Sequence, residues 1–298
     1  MHHLKWCPQH VSCIDPQTAV CTAEGSEAEV GHYCRVTVHA GGFSGDLQEI
    51  PAGTIDCVLV CTKTLANETV AQQLAKHKEI LTTDGKIVIL QNGWGNDTPF
   101  LEHFPVEQIY QARVITGFAR TAPNISNITV HTAPILFGSL HGCDVACMEP
   151  LAKAISDSGI PSETTEQLAE ALWAKMLYNT TLNPLGAILH LPYGKLADCS
   201  YSKAIMDRLI QETFAVMDAC GYHTFWENAE AYQKDFYGKL IPDTYEHRSS
   251  TLQDIEKKQQ TEIHTLNGCI VSLAEKHGIS VPTHRMICEM ILTLEANF

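Results

Sequence analysis

The sequence predicts an α/β domain followed by an all-helical domain. In the first half, short runs rich in β-branched residues alternate with helical or loop segments, a pattern typical of a buried parallel sheet. After Ser139 this character changes, and from Val145 onward nearly every segment is compatible with helices separated by turns. We place the junction near residue 165, so the two predicted domains are residues 1–165 and 166–298.

A βαβ crossover is predicted in the first domain. Early strands are predicted at Cys34–Val38, Asp56–Cys61 and Lys86–Leu90. A helix-like stretch from Ala66 to Leu81 lies between the last two and places Val70 and Leu74 on one face. Later strands are predicted at Ile109–Phe118, Ile128–His131 and Ile135–Phe137.

The second domain is predicted to contain long helices. Their expected ranges are Val145–Ser158, Thr165–Leu189, Tyr201–Cys220, Ser249–His277 and Thr283–Glu295. The segments that we expect to separate them as turns are Gly159–Pro161, Pro192–Gly194, Cys220–Gly221 and Gly278–Pro282.

The composition excludes several classes of protein. A net charge of −14 without a dense run of Lys and Arg argues against a nucleic-acid-binding protein. No apolar stretch reaches the roughly 18 residues of a membrane helix, and the opening residues lack the apolar core of a secretory signal, so we expect a cytoplasmic protein. The 12 cysteines and 15 histidines show neither CxxC nor HExxH spacing. We therefore predict buried free thiols and no metal site.

A polar stripe is expected along the helix that starts near Thr165. Lys175, Asn179 and Asn183 recur every four residues, which keeps three polar groups within an arc of about 80 degrees. These three side chains could contact a single ligand. A solvated helix face is the alternative for the same pattern.

Two further segments are rich in polar residues. From His247 to Asp254 the serines can cap the following helix, and Glu262 is expected three turns beyond Ser250 on that same helix. Asn92 follows the strand Lys86–Leu90 directly, at the carboxyl edge where open α/β sheets bind ligands. A simple glycine turn is the alternative for the segment around Asn92.

Together these segments resemble the ketopantoate reductase (2-dehydropantoate 2-reductase) family. The matching motifs are VCTK at 60–63, ILQNGWGN at 89–96, ALWAKMLYNTTLNPLGAIL at 171–189, HRSSTLQDIEKKQQTEIHTLNG at 247–268 and GISVP at 278–282. Their order and spacing also fit. The resemblance implies a Rossmann-like domain followed by an all-α C-terminal domain of the 6-phosphogluconate dehydrogenase-like type.

The resemblance also assigns roles to individual residues. It makes Lys175 the general acid and Glu262 its acidic partner. The implied substrate-binding residues are Asn179, Asn183, Ser250 and Asn92, and the implied cofactor-side contacts are Lys63 and Asn92. A lysine ammonium is charged at neutral pH and can stabilise and then protonate the oxygen of a ketone under reduction.

One family motif is missing from the sequence. The family begins with a strand and a GxGxxG turn, whereas no GxGxxG occurs here and Gly41–Gly45 has the wrong spacing. We take His10–Asp15 as the family's second strand, so the Rossmann-like domain is expected to lack a first βα unit of about 20 to 25 residues. The family implies NADP(H), while Asp15 at the cofactor ribose would favour NAD.

The predicted function is NADPH-dependent reduction of 2-dehydropantoate to pantoate, or of a related 2-keto acid, in pantothenate biosynthesis. A catalytically inactive truncated paralogue that binds a metabolite or a partner is one alternative. A different β-hydroxyacid dehydrogenase of the same architecture is another. The expected partner is a small 2-keto acid, with no nucleic acid and no membrane, and the chain is compatible with a homodimer.

Overall fold

A computed structural model describes residues 47–122, 125–131 and 133–298 of the chain. Their contacts divide them into two compact units. The sheet unit comprises the described residues up to Gln91 together with Asn96–Leu168, and the helical unit comprises Asn92–Gly95 together with Ala169–Phe298. The segments predicted at Cys34–Val38, His10–Asp15 and Gly41–Gly45 lie outside the described residues.

The sheet unit contains two sheets. Its strands are β1 (Ile55–Val60), β2 (Leu81–Ile89), β3 (Ile109–Arg113), β4 (Thr116–Ala122), β5 (Ile125–His131), β6 (Ile135–Gly138) and β7 (Ser162–Thr164). Five of them form a mixed sheet in the order β1-β2-β3-β6-β7, and β4 pairs with β5 in a separate antiparallel sheet. In the larger sheet β1, β2 and β3 are parallel neighbours, while β6 runs antiparallel to β3.

The predicted βαβ crossover is confirmed. Helix α1 (Asn67–Lys76) connects β1 to β2, and Val70, Ala71 and Leu74 on one of its faces are buried. The helix is shorter than predicted, because a 3₁₀ turn follows at Lys78–Ile80 and β2 begins at Leu81. Helices α2 (Thr98–Leu101) and α3 (Glu149–Asp157) complete the unit.

The single strand predicted at Ile109–Phe118 is wrong. The chain leaves the larger sheet after Arg113 and enters the smaller one at Thr116. Residues on both sides of this break favour extended backbone, so the composition of the segment does not reveal the change of sheet.

The helical unit surrounds one large apolar core. Its helices are α4 (Leu168–Leu189), α5 (Tyr193–Asp198), α6 (Ser200–Cys220), α7 (Ala229–Asp235), α8 (Ile241–Asp243), α9 (Ser250–Glu256), α10 (Asn267–His277) and α11 (Pro282–Glu295). A π-helical turn at Phe236–Leu240 joins α7 to α8. Gly221 and Gly278 end α6 and α10 in the left-handed conformation, as expected of a glycine after a helix.

Two predictions for this unit are wrong. The helix predicted at Ser249–His277 is interrupted after Glu256, where Lys258 adopts a positive φ of 54° and the Gln259 N–H donates to the Asp254 carbonyl at 2.9 Å. Glu262 is therefore not on the helix of Ser250, but precedes a short 3₁₀ turn at Ile263–Thr265. Pro192–Gly194 is not a simple turn either, because α5 begins at Tyr193.

No helix in the described part of the chain combines the length and the apolar character needed to cross a membrane.

Candidate active site

The polar stripe of α4 lies against the interior of the protein. Asn179 is 9% exposed, Asn183 is 5% exposed and Lys175 is half-buried. A solvated helix face, the alternative drawn from the sequence, is therefore wrong for the two asparagines. Burying an amide is costly unless the group finds a hydrogen-bond partner, so what these side chains contact decides their role.

Asn179 makes no side-chain hydrogen bond to any of the residues described. It is nevertheless nine-tenths buried, and neither of its amide atoms is fully sealed from solvent. A buried polar group left without a partner costs about 1–3 kcal/mol. A ligand that offers both an acceptor and a donor would satisfy this amide, so Asn179 has the character of a binding residue.

Lys175, Asn92 and Glu262 form one continuous hydrogen-bonded chain. The Lys175 ammonium Nζ donates to Asn92 Oδ1 at 2.6 Å, and Asn92 Nδ2 donates to Glu262 Oε2 at 3.0 Å. The amide thus lies between the ammonium and the carboxylate and is hydrogen-bonded to both. In the sequence Asn92 is 83 positions from Lys175 and 170 positions from Glu262, and the structure brings the three residues together.

Asn92 reaches this position because its loop packs on the helical unit. Gly93 has a φ of +99°, and a Cβ there would lie 2.5 Å from the Thr265 carbonyl oxygen, so only glycine fits. The next residue, Trp94, donates its backbone N–H to the same oxygen at 3.1 Å. Its ring packs against Trp173 and Tyr222, each with ring centroids 5.0 Å away. The loop is therefore anchored by the residues that follow Asn92.

Asn183 is held by the segment that precedes α9. Ser249 Oγ donates to the Asn183 backbone carbonyl at 3.0 Å and accepts the Leu252 N–H at 3.0 Å. This confirms a serine cap on α9, and the capping residue is Ser249. Ser250 is the first residue of α9 and is exposed.

A buried network supports α4 behind the stripe. Pro184 lies inside the helix and has no N–H, so the Thr180 carbonyl loses its usual partner. Asn267 Nδ2 replaces it, donating to Thr180 O at 2.9 Å and to His284 Nδ1 at 3.1 Å. His284 Nε2 lies 3.0 Å from the Leu209 carbonyl oxygen, which makes it a donor there. Burial lowers the pKa of His284 to about 4, so the ring is neutral at pH 7.

Two family models match the chain. Residues 18–142 match "Ketopantoate reductase PanE/ApbA" and residues 167–295 match "Ketopantoate reductase PanE/ApbA C terminal". The chain is also 36% identical to the 2-dehydropantoate 2-reductase of Aquifex aeolicus over 241 residues, which cover 80% of this chain and 76% of that relative. The chain belongs to the ketopantoate reductase family.

Solved structures of ketopantoate reductases confirm the predicted fold. The crystal structure of a family member from Ralstonia eutropha has a TM-score of 0.71 at 28% identity and covers 86% of this chain and 80% of that one. A 2-dehydropantoate 2-reductase from Geobacter metallireducens has a TM-score of 0.75 at 23% identity, covering 86% and 82%. The chain is thus an oxidoreductase-family protein with a Rossmann-like α/β domain followed by an all-α domain.

Ketopantoate reductases depend on pyridine nucleotides, and the described part of the sheet unit partly fits such a cofactor. Gln91 and Asn67 exchange amide hydrogen bonds of 2.6 and 2.9 Å, and Gln91 Nε2 also donates to the Thr62 carbonyl at 2.7 Å. These bonds fix the loop after β1, where Lys63 is exposed. A cation beside fixed amides at the carboxyl edge of a sheet suits a phosphate. Asp15 lies outside the described residues.

The described cysteines and one exposed cluster of Glu and His side chains form no comparable site. The eight described cysteines are free, as expected, but none of them is fully buried, which corrects the prediction of buried thiols. Ligand atoms of Glu68, Glu102 and His103 lie within 4.8 Å of one another, and all three side chains are exposed. The absence of a metal site stays a prediction.

Sequence reasoning missed several residues that build this site. Asn267 and Trp94 were not selected from the sequence, and Ser249 was considered only as a helix cap, although each holds a candidate residue or its helix in place. A signal for Asn267 was available. Pro184 inside a predicted helix frees one carbonyl, and that carbonyl requires a donor from elsewhere.

Proposed function

We propose that this chain reduces 2-dehydropantoate, or a closely related 2-keto acid, with NADPH, and that Lys175 is the general acid. The observation that carries the proposal is the chain of hydrogen bonds from Lys175 through Asn92 to Glu262. Lys175 shares its helix with Asn179, whose buried amide has no hydrogen-bond partner among the described residues. A cationic donor and a free amide suit a substrate that carries a ketone and further oxygen atoms.

The ammonium of Lys175 has the chemistry that ketone reduction needs. One of its N–H groups is committed to Asn92 Oδ1, which fixes where the nitrogen lies. Another can donate to the substrate carbonyl, stabilise the negative charge that develops on that oxygen, and then transfer a proton to it. A bound reduced nicotinamide would supply the hydride.

Glu262 acts on Lys175 through Asn92 in this proposal. Because Asn92 Nδ2 donates to the carboxylate, its Oδ1 is left to face the ammonium, which fixes the orientation of the amide. Asn179, Asn183 and Ser250 would bind the hydroxyl and carboxylate groups of the substrate.

The cofactor assignment follows the family and the donor set of the sheet unit. Lys63, in the loop after β1, would contact a phosphate of the dinucleotide. We propose NADP(H) as the cofactor, and we expect Lys63→Ala to weaken NADPH binding in calorimetry. Equal or tighter binding of NADH by the wild type would show that NAD is the cofactor instead.

The test of this function is NADPH oxidation that depends on 2-dehydropantoate. Lys175→Ala should lower kcat by roughly 10²–10⁴-fold, the usual contribution of a general acid. The matched control is Lys153→Ala, which removes an exposed lysine paired with Asp157. Full activity in Lys175→Ala would refute the role of Lys175, and saturable turnover of other keto acids alone would refute the substrate.

The inactive-paralogue alternative rests on the absence of GxGxxG from the sequence. It predicts that the wild type binds pantoate but neither binds nor oxidises NADPH. Calorimetry with each compound separately distinguishes the two functions, because micromolar NADPH binding is expected only of a reductase.

A further inference from the structure

Tyr193 fixes the orientation of the Asn183 side-chain amide. Its hydroxyl donates to Asn183 Oδ1 at 2.6 Å, and both side chains are buried. Burial raises the pKa of Tyr193 well above its usual range, so the hydroxyl keeps its proton and serves as the donor. The oxygen of the Asn183 amide must then face Tyr193, and its nitrogen must point the other way.

The Asn183 nitrogen is the unused end of this amide. Asn183 Nδ2 makes no hydrogen bond to a residue in the described ranges, and it retains some solvent accessibility. It therefore presents N–H donors on the same helical stripe as Asn179 and Lys175. Without Tyr193 the amide could rotate and present its oxygen instead, which would repel an acceptor atom of a ligand.

Tyr193 itself is fixed from several sides. Its backbone N–H donates to the His247 carbonyl at 3.1 Å, and its ring lies 5.0 Å from the His247 ring. Tyr178 packs edge-on against it with centroids 5.6 Å apart. The following Gly194 approaches Tyr245 so closely that a Cβ there would overlap its ring. A tyrosine held this firmly can orient a neighbour at low entropic cost.

The position of Asn183 indicates which part of a substrate it serves. It lies eight residues, or about 12 Å along the helix axis, from Lys175. A substrate whose ketone oxygen meets the ammonium could therefore contact Asn183 only through another of its oxygen atoms. Such contacts are formed equally in the ground state and the transition state, so they affect KM more than kcat.

We propose that Tyr193 is a specificity-determining positioning residue: it locks the Asn183 amide so that Nδ2 donates to an oxygen of the substrate other than the ketone oxygen, either its hydroxyl or its carboxylate. This inference rests on the proposed function and deepens it. It adds a residue that does not itself touch the reacting atoms.

The first experiment compares Tyr193→Phe with the wild type on 2-dehydropantoate and on 3-methyl-2-oxobutanoate, which lacks the hydroxymethyl group and therefore the hydroxyl, but keeps the carboxylate. We expect KM for 2-dehydropantoate to rise about tenfold while kcat stays within about twofold. A rise confined to 2-dehydropantoate identifies the hydroxyl as the acceptor, and an equal rise for both substrates identifies the carboxylate. Unchanged KM values, or a loss confined to kcat, would overturn the proposal.

A double-mutant cycle separates this role from a general effect on folding. Because Tyr193 acts through Asn183, Tyr193→Phe should have no further effect on KM when Asn183 is already alanine. Tyr232→Phe is the matched control, since its hydroxyl is also buried but has no hydrogen-bond partner among the described residues. Independent, additive effects of the two substitutions would contradict the proposal.

A third measurement does not require activity. With ¹⁵N-labelled asparagine, the side-chain NH₂ signals of Asn183, assigned by their loss in Asn183→Ala, should form one sharp pair in the wild type. They should broaden or double in Tyr193→Phe, because the amide then samples both orientations. If the wild type does not turn over 2-dehydropantoate, the proposed function fails while this spectrum still decides the role of Tyr193. A single unchanged pair in the variant would overturn it.

Discussion

The hydrogen bond from Asn267 to the Thr180 carbonyl should be coupled to the proline that makes it necessary. Replacing Asn267 by leucine removes the donor to Thr180 O and the donor to His284 Nδ1. Each buried acceptor left unpaired costs about 1–3 kcal/mol. The same substitution removes Asn267 Oδ1, which is itself buried and has no partner in the part of the chain that the structure describes, so one such penalty is relieved. The net expected loss in the free energy of unfolding is about 1–3 kcal/mol.

Pro184→Ala should rescue part of this loss. An alanine at 184 supplies the N–H that the helix lacks, and that N–H can donate to the Thr180 carbonyl. Asn267→Leu should then cost about 1–2 kcal/mol less in the Pro184→Ala background than in the wild type. Pro242→Ala is the matched control, because Pro242 lies in the first turn of α8, where a helix has no use for the N–H.

Urea unfolding followed by tryptophan fluorescence measures these differences. Three of the four tryptophans, Trp94, Trp173 and Trp226, belong to the helical unit, and Trp173 is fully buried in its core. The four proteins of the cycle give the coupling energy directly. A coupling energy below about 0.5 kcal/mol, or equal coupling with Pro242→Ala, would refute the argument that Asn267 compensates for the proline.

Two further changes test the loop of Asn92 and the neutral His284. Gly93→Ala should displace the loop and lower kcat/KM at least tenfold, because its Cβ would meet the Thr265 carbonyl; Gly142→Ala, which has a similar positive φ but open space around it, should not. Equal losses in both variants would assign the effect to backbone conformation alone. The depressed pKa of His284 means that the unfolded chain binds an extra proton between pH 6.5 and about 4. Stability should therefore fall by up to about 1.4 kcal/mol per pH unit as the pH drops through that window, and His284→Gln should flatten this slope in urea titrations; an unchanged slope would assign it to other groups.

The parts of the fold that the sequence predicted are those with strong local patterns. The buried strands around Val58 and Val88 and the amphipathic face of α1 have short periods that do not depend on distant contacts. The glycines that end α6 and α10 were equally visible. The interruption after Glu256 was not predictable in this way. Every residue from Ser249 to Thr261 has acceptable helix propensity, and Lys258 takes a left-handed conformation that lysine rarely adopts.

The candidate site was predicted in its residues but not in its connections. The four-residue spacing on α4 and the motifs of the family selected Lys175, Asn92 and Glu262. The Asn92 amide lies between the two ions because Trp94 packs against Trp173 and Tyr222. No local sequence pattern predicts this packing. The role of Asn267 depends on a carbonyl freed 87 positions earlier in the chain. Such contacts are set by tertiary packing alone.

The four residues Asn92–Gly95 have a practical consequence for anyone who divides this chain. A fragment or chimera cut at the boundary between Leu168 and Ala169 would contain every helix of the second unit from Ala169 onward but would leave these four residues behind. The recipient scaffold would have to provide its own version of the tetrapeptide, complete with a ring that fills the space of Trp94 and an amide between the lysine and the glutamate. Exchange of the helical unit between relatives is thus limited by four residues that lie far from the rest of that unit in sequence.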